Sequence, residues 1–430
     1  MRDKRRLINV LHRGIACLCF LALLLTGVGF ASNPAEAQSF AYVTNFDDNT
    51  VSVIDAATNT VVATVGVGTG PHGVAITPDG TKAYVTNYYS HTVSVVDTAT
   101  NTVVATVEVG TGTGPYAVAI TPEGSKAYVT NFNLGTVSVI DTKTNMVVAT
   151  VGVGALPYAV AITPDGAKAY VTSFIRDRVW VIDTATNTEV TIVYVGYRPY
   201  GVAITPDGTR AYVTHSYTSS VSILDTQTNT VVGTPITVGT SPFDVAFTPD
   251  GNKAYVTNFN DSTVSVIDTG ANTVVATVGV GTGPHGAAIT PDGSRAYVTN
   301  SNSDAVSVID TATNTVVATV EVGSRPQGVA ITTLDPPDPP TPEEQMEAIT
   351  DEVENLVDTG VLNQGQGNAL IAKLGPAERM LNKGNTKAVC NVLQAFINQV
   401  EAYIKAGMLS EAEGQSLIDA ANSLIGQLCG

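Results

Sequence analysis

Between residues 40 and 332 the chain reads as short apolar runs punctuated by turn residues. One period, Pro71 to Gly110, holds four of them: GVAIT (Gly73–Thr77), AYVTN (Ala83–Asn87), TVSVVD (Thr92–Asp97) and VVATV (Val103–Val107). Each is rich in Val, Ile, Thr and Tyr, which fit a pleated, half-buried surface. They are separated by TPDG, a variable loop and DTATNT, where Pro, Gly, Asn and Asp set turn dihedrals. No 3.6-residue apolar period intervenes, so the pattern predicts strands and excludes a solenoid with a helix per repeat. The tyrosine of AYVTN stands at Tyr42, Tyr84, Tyr128, Tyr170, Tyr212, Tyr255 and Tyr297, at spacings of 42, 44, 42, 42, 43 and 42 residues. Seven copies of a four-strand unit at that period predict a closed, all-β seven-bladed propeller over residues 38–332.

The run GVAIT and its relatives at Ala117 and Gly286 alternate small and branched residues, which suits the crowded hub of a wedge. The phrases PDG, AYVTN, VSVID and TNTVVATV resemble the YVTN repeats of seven-bladed propellers in surface-layer and other exported microbial proteins, a superfamily that includes lactonase-like propellers. The first copy opens directly on AYVTN and lacks its innermost strand. Gln327–Thr332, QGVAIT, is such a strand with no PDG or AYVTN after it, so the last segment is expected to complete the first blade and close the ring. Closure removes the sheet edges that would otherwise template aggregation.

After Thr332 the pattern changes. LDPPDPPTP cannot continue a sheet and reads as a semi-rigid linker over residues 333–342. Beyond it Met346, Ile349, Val353, Leu356 and Val357 recur on one face of a helix. Gly360-Val361-Leu362-Asn363, Gly367 and Leu370-Ile371 return 47 residues later as Gly407-Met408-Leu409-Ser410, Gly414 and Leu417-Ile418. In each copy one helix ends at a glycine and the next starts at an Asn or Ser cap. Residues 343–430 are therefore expected to form a four-helix module, broken at Gly384-Asn385. The phrase GNTKAVCNVLQAFINQVEAYIKAG resembles the FIMAH domain found at the C-termini of exported bacterial proteins.

Arg2, Lys4, Arg5, Arg6 and Arg13 precede an apolar run from Ile15 to Phe30 and the small-residue sequence Ala35-Glu36-Ala37. Residues 1–37 read as a cleaved export signal, with the mature chain starting near Gln38 and no stable membrane span left in it. The formal net charge is -17, and loss of those residues makes it about -20. This acidity disfavours nucleic acid and anionic membrane surfaces as partners. The expected location is the periplasm, cell surface or medium, and the expected partners are an envelope component, a glycan or a protein. Two cysteines remain, Cys390 and Cys429, and in an exported module they are expected to pair.

Catalytic and cofactor motifs are scarce. GVGTGP and GTGTGP imitate phosphate-loop glycines, but each is followed by proline and a strand and not by a helix N-terminus. Neither GxSxG nor HExxH occurs. The recurrent aspartates of TPDG and VSVID repeat in nearly every blade and read as turn-formers. No catalytic residue, metal ligand set or cofactor is predicted.

The copies differ most at the residue after the proline that opens each innermost strand: His72, Tyr116, Tyr158, Tyr200, Phe243, His285 and Gln327. These are the candidate ligand-binding residues, expected to ring one mouth of the hub. The variable loops bearing Phe46-Asp47-Asp48, Tyr88-Tyr89, Phe132, Phe174-Ile175-Arg176, Tyr217 and Phe259-Asn260-Asp261 should open on the same face. Two readings of that face stand side by side, an aromatic plug of the hub and a binding surface. At the level of activity, a non-enzymatic exported binding or structural module is preferred. The alternative, implied by the resemblance, is a lactonase-like enzyme or a redox propeller with His72 and His285 converging on a metal or cofactor. No carboxylate cluster at unique positions accompanies those histidines.

Overall fold

The structure, a computed structural model, describes residues 38–334, 342–381 and 386–429. The export-type segment 1–37, the Pro-rich residues 335–341 and Gly384-Asn385 lie outside the described residues. The chain divides into two compact units, the first ending at Leu334.

The first unit is seven four-stranded antiparallel sheets, each with its strands in chain order from the hub outward, except at the closure. There the last strand, Pro326–Leu334, pairs with Gln38–Asn45, placing Phe40 opposite Thr332 and Tyr42 opposite Ala330. This strand is longer than the other innermost strands, because Thr333 and Leu334 still find partners in Ser39 and Gln38. The range 333–342 expected as a linker is thus trimmed at both ends, because Pro342, whose missing N–H is no loss at a first helical position, already begins a helix.

Cores form between blades and not within them. Tyr84, Val93, Val95 and Val107 of one blade pack with Val118, Ala127, Val129 and Ile140 of the next, and equivalent clusters recur around the ring. The AYVTN tyrosine is fully buried in every blade, and its hydroxyl donates to an Asn side chain on the following blade. The series runs Tyr42 to Asn101, Tyr84 to Asn145, Tyr128 to Asn187, Tyr170 to Asn229, Tyr212 to Asn272 and Tyr255 to Asn314, and returns with Tyr297 to Asn59 at 2.8 Å. Each of these asparagines sits at positive φ in its DTxTNT-type turn, a conformation Asn tolerates better than most residues. The repeated aspartates act locally as expected: Asp79 accepts from Thr77 and Thr81, and Asp97 from the Thr100 amide and hydroxyl.

The second unit is four helices: α1 (Pro342–Asp358), α2 (Gln364–Leu381), α3 (Thr386–Lys405) and α4 (Glu411–Cys429). Met346, Ile349, Val353, Leu374, Val389, Phe396, Leu417 and Leu424 share one core. The duplication is visible in the turns. Gly360 and Gly407 end α1 and α3 at φ of +79° and +67°. Asn363 and Gln366, then Ser410 and Glu413, exchange reciprocal side-chain-to-amide bonds that start α2 and α4. Cys390 of α3 and Cys429 at the end of α4 form a disulfide, which suits a unit too small to rely on its core alone.

Candidate functional site

The backbone of the mouth is set by the repeat. Each innermost strand opens on a proline, and the carbonyl of the residue after it is held by the AYVTN threonine of the preceding blade. Thr44 donates to His72 O at 2.6 Å, Thr86 to Tyr116 O at 2.8 Å, Thr130 to Tyr158 O at 3.0 Å, Thr172 to Tyr200 O at 2.6 Å, Thr214 to Phe243 O and Thr257 to His285 O at 2.8 Å, and Thr299 to Gln327 O at 2.6 Å. The same hydroxyl accepts the next amide of its own blade's innermost strand, as from Gly73 to Thr86 and Gly328 to Thr44. One hydroxyl thus ties two blades and fixes the mouth residue without touching its side chain. The strands run close together here: a Cβ on Gly73 would lie 2.7 Å from Tyr116 O. Small residues at this position follow from that spacing.

Six of the seven predicted residues are brought together, as a plug and not an open ring. The side chains of His72, Tyr116, Tyr158, Tyr200, Phe243 and His285 meet one another across the hub. His72 lies against Tyr116 with centroids 3.5 Å apart and the rings tilted by 33°, and reaches His285 at 5.2 Å. Tyr158 packs on Tyr200 at 4.2 Å, and Tyr200 on Phe243 at 4.3 Å. The Tyr116 and Tyr200 hydroxyls are hydrogen-bonded to each other, and the Tyr200 hydroxyl lies 3.4 Å from His285 Nε2. Gln327 is buried and donates to Ser301 Oγ at 3.3 Å. The hub-filling reading of the aromatics therefore holds for the floor.

Above that floor is a cleft of about 350 Å³. Its floor is His72, Tyr116, Tyr200, Phe243, His285 and Gln327, and its walls come from the variable loops, chiefly Phe46, Tyr88, Tyr89, Phe132, Phe259 and Asn302. Tyr158 is not among the lining residues; it packs against Phe132 and Phe174 at the side. Arg325 lies over the Phe46 ring at 4.7 Å and pairs with Asp47 at 3.6 Å.

Burial governs the electrostatics. Loss of hydration pushes His72 well below its ordinary range, assisted by the neighbouring His285 and Arg325, and lowers His285 to about 4 for the same two kinds of reason. Both imidazoles are neutral at physiological pH. Burial raises the Tyr116 and Tyr200 hydroxyls and brings Tyr158 to about 12, so all three remain protonated donors. Among the described residues, no group of three or more His, Cys, Asp or Glu is gathered as a metal ligand set.

Two features escaped the sequence reading. Asp244 stands where the other innermost strands have Gly or Ala. It is held by the amides of Val245 at 2.9 Å and of Ala287 in the next blade at 3.0 Å, and burial raises it to about 6. Arg198 and Arg325 stand just before the opening proline with φ of +53° and +56°, where three blades have Gly. Both are departures from the repeat within two residues of a mouth position: Asp244 follows Phe243, and Arg198 and Arg325 stand two residues before Tyr200 and Gln327.

A family model for the seven-bladed lactonase β-propeller matches residues 105–330, one for the YNCE-like β-propeller matches residues 8–110, and one for the FIMAH domain matches residues 346–426. Among solved structures, a chain of Kuenenia stuttgartiensis hydrazine synthase is 25% identical, with 67% of this chain and 99% of that one covered at a TM-score of 0.58. A functionally unknown protein from Desulfotomaculum acetoxidans is 21% identical over 69% of this chain and 99% of its own, with a TM-score of 0.62. A candidate 6-phosphogluconolactonase from Bacteroides uniformis is 18% identical over 69% and 100%, with a TM-score of 0.61. Among curated proteins, a PE-PGRS family protein of Mycobacterium tuberculosis is 52% identical over 50 residues, which is 12% of this chain. The chain spans about a tenth of the length of that curated relative.

Proposed function

Because the chain belongs to the seven-bladed lactonase β-propeller family and ends in a FIMAH domain, we propose that it is an exported binding module whose mouth face holds a saccharide. The observation that carries this reading is the cleft over the plug, where side chains differ from blade to blade while one threonine hydroxyl per blade fixes the backbone beneath them. Aromatic walls suit the apolar faces of sugar rings, and Gln327, Asn302 and neutral imidazole suit their hydroxyls. A preformed floor lowers the ordering cost of binding. Export is supported by the signal-like residues 1–37, by the disulfide and by the FIMAH match. Among the described residues no helix is long and apolar enough to cross a membrane. The helical unit then serves as the attachment element, and the whole is a binding function with no chemical turnover.

One observation favours a second reading, hydrolysis of a sugar lactone. It is the neutral His285 imidazole 3.4 Å from the Tyr200 hydroxyl, a donor–acceptor pair at the cleft floor of a lactonase-type propeller. The two readings separate in one experiment, in which the mature chain is titrated with neutral oligosaccharides and, in parallel, incubated with 6-phosphogluconolactone. Saccharide binding without lactone consumption supports the module. Lactone hydrolysis that is lost in His285→Gln establishes the enzyme instead.

A further inference from the structure

One sector of the mouth face departs from the repeat in a coordinated way. The third strand of the fourth blade opens on Arg178, where the other six open on Thr, Ser or Ala, and its third residue is Trp180, where the others have Ser. The fourth strand ends on Tyr194 in place of Gly, Glu or Thr, and the turn into the fifth blade reads Tyr197-Arg198 where three other copies read Thr-Gly. The preceding loop contributes Phe174, Ile175 and Arg176.

These replacements assemble into arginine–aromatic contacts. The Arg198 guanidinium lies 4.3 Å from the Tyr217 ring centroid and 5.1 Å from those of both Phe174 and Tyr197. The Arg178 guanidinium lies 4.4 Å over Tyr194 and donates to its hydroxyl. Arg198 adopts a left-handed backbone that favours glycine, held by its amide's bond to Asp177 Oδ1 at 2.9 Å. A large cationic side chain is kept at a position where glycine would fit without strain. The rings are not buried in compensation: Tyr197, Tyr194 and Tyr217 are 49%, 66% and 62% exposed. Three arginines against the single Asp177 make this sector locally positive in a chain of net charge -17.

The sector is continuous with the cleft. Phe174 packs on Tyr158 at 5.1 Å, and Tyr158 packs on Tyr116 and Tyr200 of the floor. A guanidinium stacked on a ring keeps its in-plane N–H edge for a bidentate oxyanion. We propose that the rim formed by Phe174–Arg178 and Tyr194–Arg198 with Tyr217 extends the saccharide site and takes the carboxylate or sulfate groups of an acidic polysaccharide that crosses the mouth. This rests on the saccharide reading of the cleft and adds the charge class of its ligand.

The test is affinity electrophoresis and titration of the mature chain with alginate, chondroitin sulfate, dextran and polyglutamate. Alginate and chondroitin sulfate carry the carboxylate and sulfate forms of the ligand, dextran is the neutral control, and polyglutamate stands for an acidic protein partner. The double variant Arg176→Ala/Arg198→Gly is read alongside; glycine at 198 restores the residue that three other blades carry, so loss of fold is not the expected cause of any effect. The proposal expects alginate or chondroitin sulfate to bind, with affinity falling at least tenfold and the salt dependence flattening in the double variant, while dextran binding in the cleft is unchanged. Failure of dextran together with arginine-dependent alginate binding would remove the neutral-saccharide cleft and keep the rim. Acidic polysaccharides that bind the double variant as tightly as the parent would overturn the proposal. So would equal competition by polyglutamate, which would mark an acidic protein surface as the partner.

Discussion

The blade walls and the mouth are built from neighbouring residues of the same strands, yet they use the repeat in opposite ways. In the wall, the tyrosine and threonine of AYVTN each reach into the next blade, so identical side chains meet identical partners seven times. At the mouth, the same threonine grips only a carbonyl, and the side chain attached to it is His, Tyr, Phe or Gln. A closed ring demands uniformity where blades touch. It demands nothing of side chains projecting over the axis beyond filling it, and diversity collects there.

The strongest test of the wall removes its last member. A chain ending at Ser324 lacks the strand that pairs with Gln38–Asn45, and so leaves the first blade with an open edge and uncovered apolar side chains. Compared with a chain ending at Leu334, it should lose cooperative melting and bind a hydrophobic dye. Equal melting of the two would refute closure as the source of ring stability.

A smaller effect sharpens the boundary between wall and mouth at Asp244. Its carboxyl is raised to about 6 by burial, so the folded state holds its proton more tightly than the unfolded chain does. The stability this group contributes is present below about pH 4 and lost as pH rises to about 6, on the order of 3 kcal/mol at about 1.4 kcal/mol per pH unit. His72 and His285 act in the opposite sense, because their lowered values cost stability as pH falls below about 6.5. Both histidines are present in Asp244→Asn, so the difference between parent and variant across pH 4 to 6 isolates the aspartate. Parent stability should decline relative to the variant over that window, as read by urea melts; parallel curves would mean that Asp244 is solvated.

Smaller still is the wall threonine. Thr86→Val deletes the donor to Tyr116 O and the acceptor for the Gly73 amide, and should cost about 1–3 kcal/mol in chemical denaturation. A neutral substitution would show that the mouth backbone is held by strand pairing alone.

The blade count, the shared closing strand and the paired helical hairpins were legible because each depends on local patterns: tyrosine spacing, an orphan QGVAIT, and glycines 47 residues apart. The mouth residues were legible as variable positions, but their convergence was not. Whether Tyr116 and Tyr200 meet across the axis depends on the hub radius and on side-chain reach, which periodicity does not encode. Asp244 was obscured because its strand otherwise follows the pattern, and the consequence of replacing a small residue appears only when the next blade's Ala287 amide is in place. The fourth blade conceals a similar change. Trp180 and Arg178 replace the Ser and Thr that accept from an Asn amide in other blades, leaving Trp180 Nε1 and Arg178 Nε buried without an acceptor. His215 shows the compensated case, standing in for that Asn with Nε2 at 2.8 Å from Ser222 Oγ.

The separation of wall from mouth is tested most directly by measuring melting temperature and saccharide affinity together in Tyr89→Ala and Phe132→Ala, two ring deletions in the cleft walls that leave every inter-blade tyrosine and threonine in place. The account predicts melting within about 2 °C of the parent for the exposed Tyr89 and a somewhat larger drop for the half-buried Phe132, which packs on Tyr116 and Tyr158, with affinity reduced roughly tenfold or more in both, as for aromatic anchors. Variants that melt well below the parent while binding saccharide as tightly would contradict it and make these aromatics part of the wall.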